Sequence, residues 1–195
     1  NMKFYNNDMK HYNIDDIIVV VGYKKDLIME AFPTLSYVYN PLFDSTNTSK
    51  SLLKALNKNK NSDILWFNGD VIFDLKILDF INKKIKKNSS FICVNKNHVS
   101  DEEVKYKLNN GFVSELSKSV KNGLGEAVGI NYINSIDVKA FIKRLQECDD
   151  QDYFEKGLEM SIEQDSLNLE ILDISKYYCM EIDFIEDLNS ANDLF

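Results

Sequence analysis

Short apolar runs alternate with longer stretches of helical periodicity along the chain, and this alternation most constrains its fold. The continuous apolar run from Asp16 to Gly22 predicts a buried parallel strand. Further along, Leu52, Leu53 and Leu56 fall on one face of a helix predicted over 48–57. Because strands that alternate with helices build open sheets with connecting helices, we expect the α/β class, with an open sheet flanked by helices.

The same alternation continues to the C-terminus. We predict further strands at 35–39, 63–67, 90–95, 127–133, 169–173 and 177–182, further helices at 74–87, 137–147, 152–163 and 185–194, and the end of a helix at 4–12. Asn109-Asn110-Gly111 separates two strand-like segments at 104–108 and 112–116, a pattern typical of a β-hairpin. No internal repeat or composition shift divides the chain, so we predict a single domain over residues 1–195 with a small β-hairpin insertion.

Composition and charge exclude several classes of function. The 195 residues carry 31 acidic and 23 basic side chains, a net charge of −8, which disfavours binding to nucleic acid because phosphate is repelled. The longest apolar run, Ile17–Val21, is too short to span a bilayer, so we predict no membrane partner. Three cysteines without a C-x-x-C pattern favour a reduced, cytoplasmic setting. His11 and His98 lie far apart in sequence, which argues against a histidine zinc site or a Ser-His-Asp triad.

Acidic residues stand at the ends of two predicted strands. Asp70 follows one strand, and Gly69 before it would let the backbone bend and aim Asp70 over the sheet edge. Asp183 ends another strand, with Glu181 on the same face two residues earlier. Open α/β sheets bind ligands at such strand ends, and carboxylates that meet there suit Mg²⁺. Asp70 and Asp183 could instead cap the helices that follow them, and their spacing leaves both interpretations open.

Five segments, taken in order, resemble the nucleotidyltransferases that join a nucleoside triphosphate to a phosphorylated small molecule. They are DDIIVVVGYKKDLI at 15–28, STNTSKSLLKAL at 45–56, ILWFNGDVIFD at 64–74, GEAVGINYI at 125–133, and YFEKGLEMSI with MEIDFIEDLNSA at 153–162 and 180–191. The second of them is similar to an Asn-x-x-x-Ser-Leu stretch of the phosphocholine cytidylyltransferase branch. The resemblance covers residues 14–195. It implies an α/β fold of the nucleotide-diphospho-sugar transferase type, with a Rossmann-like open mixed sheet flanked by helices.

The resemblance also implies roles for individual residues. It makes Asp70 and Asp183 the catalytic, Mg²⁺-binding carboxylates with Glu181 assisting, puts Asn47, Ser51 and Gly69 on the nucleotide side, and puts Glu126, Tyr153 and Glu155 near the acceptor. The implied reaction is in-line attack of an acceptor phosphate on the α-phosphorus of a nucleoside triphosphate, CTP by preference, with release of pyrophosphate. Acidic and aromatic residues together suit a cationic head group, so the expected acceptor is phosphocholine or a sugar phosphate destined for cell-surface polysaccharide.

Each of the residues implied to bind nucleotide or acceptor also has a structural interpretation. Asn47 could cap a helix, and Ser51 could lie on a helix surface. Tyr153 could belong to the core, and Glu155 could lie on a solvated helix face. The spacing of these residues does not decide between the two interpretations.

The chain departs from the family pattern at its N-terminus. The family begins with a strand and a glycine-rich G-x-G-x-R loop that cradles the triphosphate, and this region is absent, so we expect the domain to be N-terminally incomplete. Arg144, the single arginine, falls in a predicted helix and does not replace the loop arginine. An uncovered sheet edge would then be available to a second copy or a partner chain. The alternative function is a catalytically inactive binding or partner subunit of the same fold.

Two further patterns in the sequence bear on function. Lys24 and Lys25, directly after Gly22 and Tyr23, are candidate contacts for an anion, or are simply solvated. A flavodoxin-like or receiver-like module would also carry acidic residues at strand ends. The pair Asp15–Asp16 precedes its strand instead of following it, which disfavours a receiver.

Overall fold

The computed structural model describes residue 12, residue 14 and residues 16–97, 99–100 and 102–192. The chain divides into two compact units, one formed by residues 1–62 with 138–165 and the other by residues 63–137 with 166–195. The chain therefore crosses between the units three times. One domain over residues 1–195 stays a prediction. The helix end predicted at 4–12 lies outside the described residues apart from residue 12.

The first unit is built on two parallel strands. Its elements are β1 (Ile18–Val21), α1 (Lys25–Ala31), β2 (Ser36–Tyr39), α2 (Thr48–Leu56), the part of α4 (Ser135–Glu147) from residue 138 onward, and α5 (Phe154–Asp165). Strand β1 pairs with β2 in parallel, with Val21 opposite Tyr39, as expected for strands joined by a helical crossover. The connecting helix α1 was not predicted, and none of its residues is buried, so it lacks the apolar face that reveals a helix in sequence.

The second unit contains a six-stranded mixed sheet. Its elements are β3 (Ile64–Phe67), β4 (Val71–Phe73), α3 (Lys76–Ile85), β5 (Phe91–Asn95), β6 (Lys105–Asn109), β7 (Phe112–Ser117), β8 (Glu126–Ile133), β9 (Glu170–Asp173), β10 (Cys179–Glu181) and α6 (Ile185–Asn192). The strand order is β7-β6-β8-β5-β9, with β3 also paired to β8. Among the strands that the structure describes in this sheet, only β5 and β9 run parallel. Strands β4 and β10 form a separate antiparallel pair.

The predicted fold class is confirmed, because helices alternate with strands and the main sheet is mixed. The predicted hairpin is confirmed too. Asn110 and Gly111 between β6 and β7 both have positive φ, 51° and 87°, as a two-residue hairpin turn requires. The three-residue strand β4 was not predicted, since it is too short to show a period of its own.

The single arginine of the chain has a structural role in the first unit. Arg144 is buried on α4, and its Nε and Nη2 donate to the two carboxylate oxygens of Asp165 at 2.7 and 2.8 Å. Its Nη1 donates to Glu147 Oε2 at 2.5 Å. This guanidinium is therefore engaged by two carboxylates and does not serve as an anion clamp.

Among the described residues, no helix combines the length and the apolar composition needed to cross a bilayer.

Candidate functional site

Asp70 is positioned by the turn between β3 and β4. Its carbonyl oxygen accepts a hydrogen bond from the Ile182 N–H at 3.0 Å, directly beyond the pairing of Val71 with Glu181. The antiparallel pair of β4 and β10 therefore brings Asp70 beside the segment that carries Glu181 and Asp183. The predicted convergence of these three acidic residues rests on backbone hydrogen bonds.

Asn68 links this turn to β8 and to Glu181. Its N–H donates to the Gly129 carbonyl at 2.8 Å, and its Nδ2 lies 3.5 Å from Glu181 Oε1. Gly129 has φ 69°, and a Cβ added there would lie 2.7 Å from Asn68 Nδ2. Only glycine therefore lets Asn68 take this place.

The prediction that Gly69 is needed for the backbone to bend before Asp70 is wrong. Its φ lies outside the left-handed region, and no atom would lie within 4 Å of an added Cβ. The backbone at this turn therefore does not need glycine for steric reasons, and Gly129 supplies the required conformation on the neighbouring strand. A nucleotide contact at Gly69 stays a prediction.

The carboxylates of this region perturb one another. Burial, together with the charges of Asp70 and Glu103, raises the pKa of Glu181 to about 7, while the hydrogen bond from Asn68 opposes the rise. Burial also raises the pKa of Glu103, helped by Glu126 and Asp183 and opposed by Lys118. Negative charge is thus concentrated here, an arrangement that a bound cation would relieve.

A pocket of about 580 Å³ in the second unit brings several of these residues together. Five carboxylate-bearing residues line it, namely Glu103, Glu126, Glu181, Asp183 and Asp187. Part of the remaining lining is apolar, contributed by Val128, Met180 and Phe184. Asp70 is not among the lining residues, although its charge acts on Glu181. The structure thus places the predicted acceptor residue Glu126 in one pocket with two of the predicted metal ligands.

Glu103 is a member of this pocket that sequence reasoning missed. It lies in the irregular segment before β6, where no period or motif marks it. Nearby, Glu126 Oε2 accepts from the Ser100 N–H at 3.3 Å, so this segment is tied to the start of β8. The Ala127 N–H also donates to the Val104 carbonyl at 2.8 Å, and Lys105 pairs with Glu126. Glu103 is thus associated with Glu126 through tertiary contacts.

The alternative of helix caps is resolved differently for the two aspartates. Asp70 is followed by β4 and not by a helix, so the cap interpretation is wrong for it. At the start of α6, Asp187 Oδ2 accepts from the N–H groups of Asp183 and Phe184, at 3.2 and 2.8 Å. The cap at this helix is therefore supplied by Asp187, and Asp183 itself is exposed at the pocket.

The donor set is compatible with magnesium held in an open site. Within residues 16–97, 99–100 and 102–192, no group of three or more His, Cys, Asp or Glu side chains is already arranged around a metal position. Asp70, Glu181 and Asp183 offer hard carboxylate oxygens, and Mg²⁺ is usually held by one or two carboxylates with substrate phosphates. These residues therefore fit an ion that a substrate phosphate helps to bind.

Asn40 organises the loop between β2 and α2 in the first unit. This nearly fully buried side chain donates through Nδ2 to Thr46 Oγ1 and Ser51 Oγ, both at 3.1 Å. Its Oδ1 accepts from the Leu42 N–H, also at 3.1 Å. The half-buried Ser51 is thus held from the strand end, and its role on the nucleotide side stays a prediction.

Asn47 is the N-cap of α2. Its side chain accepts from the Thr48 N–H at 2.7 Å, and its own N–H donates to the Asp150 carbonyl at 2.7 Å. The cap interpretation of Asn47 is therefore confirmed. A contact from Asn47 to a nucleotide stays a prediction.

The two remaining predicted acceptor residues lie at the start of α5. Tyr153 is 46% exposed, so the core interpretation is wrong for it. Glu155 is 8% exposed, so it does not lie on a solvated helix face. Both belong to the first unit with Asn47 and Ser51, whereas the carboxylates around Glu181 belong to the second.

Comparisons with known proteins place the fold. No protein-family model and no curated protein matches this sequence. The chain is similar in structure to the inositol-1-phosphate CTP transferase from T. maritima, with a TM-score of 0.76 and 14% identity over 97% of this chain and 79% of that one. It is also similar to the CTP:phosphocholine cytidylyltransferase from Streptococcus pneumoniae, with a TM-score of 0.70 and 15% identity over 99% of this chain and 84% of that one.

A third similar structure is a Bacillus anthracis protein assigned as a glucose-1-phosphate thymidylyltransferase, with a TM-score of 0.71 and 16% identity over 97% of this chain and 80% of that one. The chain therefore has the fold of these proteins, as the five sequence segments predicted.

Proposed function

We propose that this chain is a Mg²⁺-dependent nucleotidyltransferase that joins a nucleoside triphosphate, CTP by preference, to a small phosphorylated acceptor. The observation that carries the proposal is the pairing of β4 with β10, which sets Asp70 beside Glu181 and Asp183. Two similar structures carry names that specify CTP, with inositol-1-phosphate or phosphocholine as the second substrate, and this supports the choice.

The proposed reaction needs no nucleophile from the protein. An oxygen of the acceptor phosphate forms a bond to the α-phosphorus, and the bond from that phosphorus to the leaving pyrophosphate breaks. Mg²⁺, when bound, would neutralise charge on the phosphate oxygens. Asp70 and Asp183 would hold the ion, and Asn68 would orient Glu181 through the contact described above. The chain thus contributes positioning and charge compensation.

The acceptor in this proposal carries a positive charge, as phosphocholine does. Glu103 and Glu126 add two carboxylates to the pocket beyond the metal ligands, and Phe184 and Met180 add apolar surface. A cationic head group gains from both kinds of contact, whereas a neutral sugar gains less from the carboxylates. Sugar phosphates remain the second class of acceptor to be tested. Tyr153 and Glu155 in the first unit are the other proposed acceptor residues.

We also propose a cytoplasmic setting and a role in cell-surface polysaccharide biosynthesis. All three cysteines are free, and burial raises the pKa of Cys93 and of Cys148, so both thiols resist oxidation. The nucleotide-activated product would serve as the donor of the acceptor group in a later transfer reaction.

We further propose that a second copy or a partner chain binds at an uncovered strand edge. Light scattering of the purified chain tests this proposal.

The test of the proposed function is pyrophosphate release. The purified chain is incubated with each of CTP, UTP, GTP and ATP, with phosphocholine or a sugar 1-phosphate, and with Mg²⁺ or EDTA. We expect release with CTP and phosphocholine that requires Mg²⁺ and falls at least about a hundredfold in Asp70→Asn and Asp183→Asn. Asp79→Asn, an exposed position on α3, is the matched control and should keep full activity.

Two results would contradict the proposal. Turnover that is unchanged in both site variants would show that these carboxylates do not act in the reaction. Nucleotide binding by the folded chain without turnover for any pair of substrates would instead favour the catalytically inactive binding or partner subunit.

A further inference from the structure

Two exposed aromatic rings meet where β1 and β2 end. Tyr23 follows β1 and is 68% exposed, Phe43 follows β2 and is 38% exposed, and their ring centroids are 6.3 Å apart. A Cβ added at Gly22 would lie 2.5 Å from the Phe43 Cβ, so glycine at this position lets Phe43 pack beside Tyr23. The two rings therefore form a defined surface. We call this surface, with Lys24 included, the Tyr23 patch.

A cation accompanies these rings. Lys24 Nζ lies 5.2 Å from the centroid of the Tyr23 ring. Lys25 Nζ lies 5.5 Å from the centroid of Tyr39, but it is also paired with Asp26 Oδ1 at 2.6 Å. Lys24 therefore supplies the positive charge of the patch, on a chain whose net charge is −8. Exposed aromatic faces beside a lysine complement a ligand that is both planar and anionic.

The position of the patch in the sheet also favours a ligand. Since β1 and β2 are parallel, their carboxyl ends meet at one edge, and the Asn40 N–H extends the pairing by donating to the Val21 carbonyl at 2.9 Å. Asn40 then holds Ser51 Oγ at 3.1 Å. Open α/β sheets bind ligands beyond this edge. Exposed aromatic residues at this edge need an explanation other than core packing.

We infer that the Tyr23 patch binds the base and a phosphate of a nucleotide, with the base against Tyr23 and Phe43 and the phosphate near Lys24. This inference rests on the proposed function in one respect, because it takes the nucleotide to be the nucleoside triphosphate of that reaction. Stacking on an aromatic ring tolerates any base, so the patch contributes affinity without selecting CTP. An acidic protein surface is the competing occupant, and the experiment separates the two.

The test is calorimetric titration of the full chain with CMP and CTP in EDTA, which removes the contribution of the carboxylate site. Stacking predicts that Tyr23→Ser weakens both ligands about tenfold, whereas Tyr23→Phe stays within about twofold of wild type. Lys24→Gln should weaken CTP more than CMP, since CTP carries more charge. Phe112→Ser, an exposed aromatic position on the hairpin, is the matched control and should not change binding. Circular dichroism confirms that each variant is folded.

Three results would overturn the inference. The first is the absence of saturable binding of CMP and CTP at millimolar concentration. The second is equal affinity of Tyr23→Ser and Phe112→Ser for these nucleotides. The third is a heat of binding with an acidic polypeptide such as polyglutamate but none with either nucleotide.

Failure of this inference is distinguishable from failure of the proposed function. If wild type releases pyrophosphate and Tyr23→Ser leaves the KM for CTP unchanged, the inference that the Tyr23 patch binds nucleotide is wrong and the proposed function stands. If CMP binding depends on Tyr23 but no acceptor supports turnover, the patch stands and the function is wrong. Asp70→Asn should keep CMP binding in EDTA while it loses turnover, because the two sets of residues act on different steps.

Discussion

Glu181 lies beside Asp70, and burial of Glu181 together with the charge of Asp70 raises its pKa from an ordinary value of 4.5 to about 7. The relationship is created by the pairing of β4 with β10, which places Val71 opposite Glu181. Holding an ionised carboxylate here disfavours the folded state at neutral pH, so the arrangement is better explained by a cationic ligand than by stability.

Replacing Glu181 tests this relationship through the pH dependence of stability. Because the folded pKa lies above the unfolded one, the native state binds more protons between about pH 4.5 and pH 7, and wild-type stability falls as the pH rises through that window. In EDTA we expect Glu181→Gln to resemble wild type at pH 4.5 and to be more stable at pH 8, by on the order of 1–2 kcal/mol. Urea unfolding at both pH values measures the difference, and an equal effect at the two would contradict it.

Alanine substitutions at Gly129 and Gly69 test which of the two positions requires glycine for its backbone conformation. Gly129→Ala forces a side chain into positive φ and against Asn68, so we expect a loss of about 1–3 kcal/mol in the free energy of unfolding. The Cβ that Gly69→Ala adds has no atom within 4 Å, so we expect the free energy of unfolding to stay within about 0.5 kcal/mol of wild type. Denaturant titration of both variants checks the pair. Equal losses would mean that the turn at Gly69 is more constrained than its surroundings indicate.

Asn40 should be a strong stability determinant of the first unit. Asn40→Ala leaves the Leu42 N–H without its acceptor and removes the contacts to Thr46 and Ser51, so we expect a cost of about 1–3 kcal/mol. Asn61→Ala, at an exposed position after α2, is the control and should be nearly neutral. Thermal unfolding of the two variants compares them. A neutral Asn40→Ala would show that water replaces these hydrogen bonds.

Arg144→Lys should lower stability without changing nucleotide binding. Lysine keeps the charge but not the two parallel hydrogen bonds to Asp165, so we expect a lower Tm. Lys139→Ala, exposed on the same helix, is the control for a change of surface charge. Differential scanning calorimetry and CTP titration give the two readouts. Weaker CTP binding by folded Arg144→Lys would contradict the structural role assigned to Arg144.

The sequence predicted most of the regular elements because their signals are local. Strand β1, the apolar face of α2 and the turn at Asn110-Gly111 all follow from patterns within a few residues. The predicted burial of β1 is correct for Val21 alone, since the other three residues of the strand are half-buried. The elements it missed lack such patterns. Helix α1 buries no residue, and β4 has only three.

The candidate site was partly predictable. Asp70, Glu181 and Asp183 stand at strand ends in the sequence, and their association was predicted from that position. Asn68 and Glu103 were missed, since each is associated with the site only through a partner on another strand or loop. The role of Gly129 was likewise not visible, because it depends on the side chain of Asn68.

The sequence by itself determined the alternation of strands and helices and the acidic residues at strand ends, because periodicity and residue type act over short distances along the chain. Only the tertiary structure decided that Asn68 contacts Glu181, that Glu126 shares a pocket with Glu181 and Asp183, and that Tyr23 meets Phe43. These relationships depend on the hydrogen-bond register between strands that are distant in sequence, and on the side-chain packing that follows from that register.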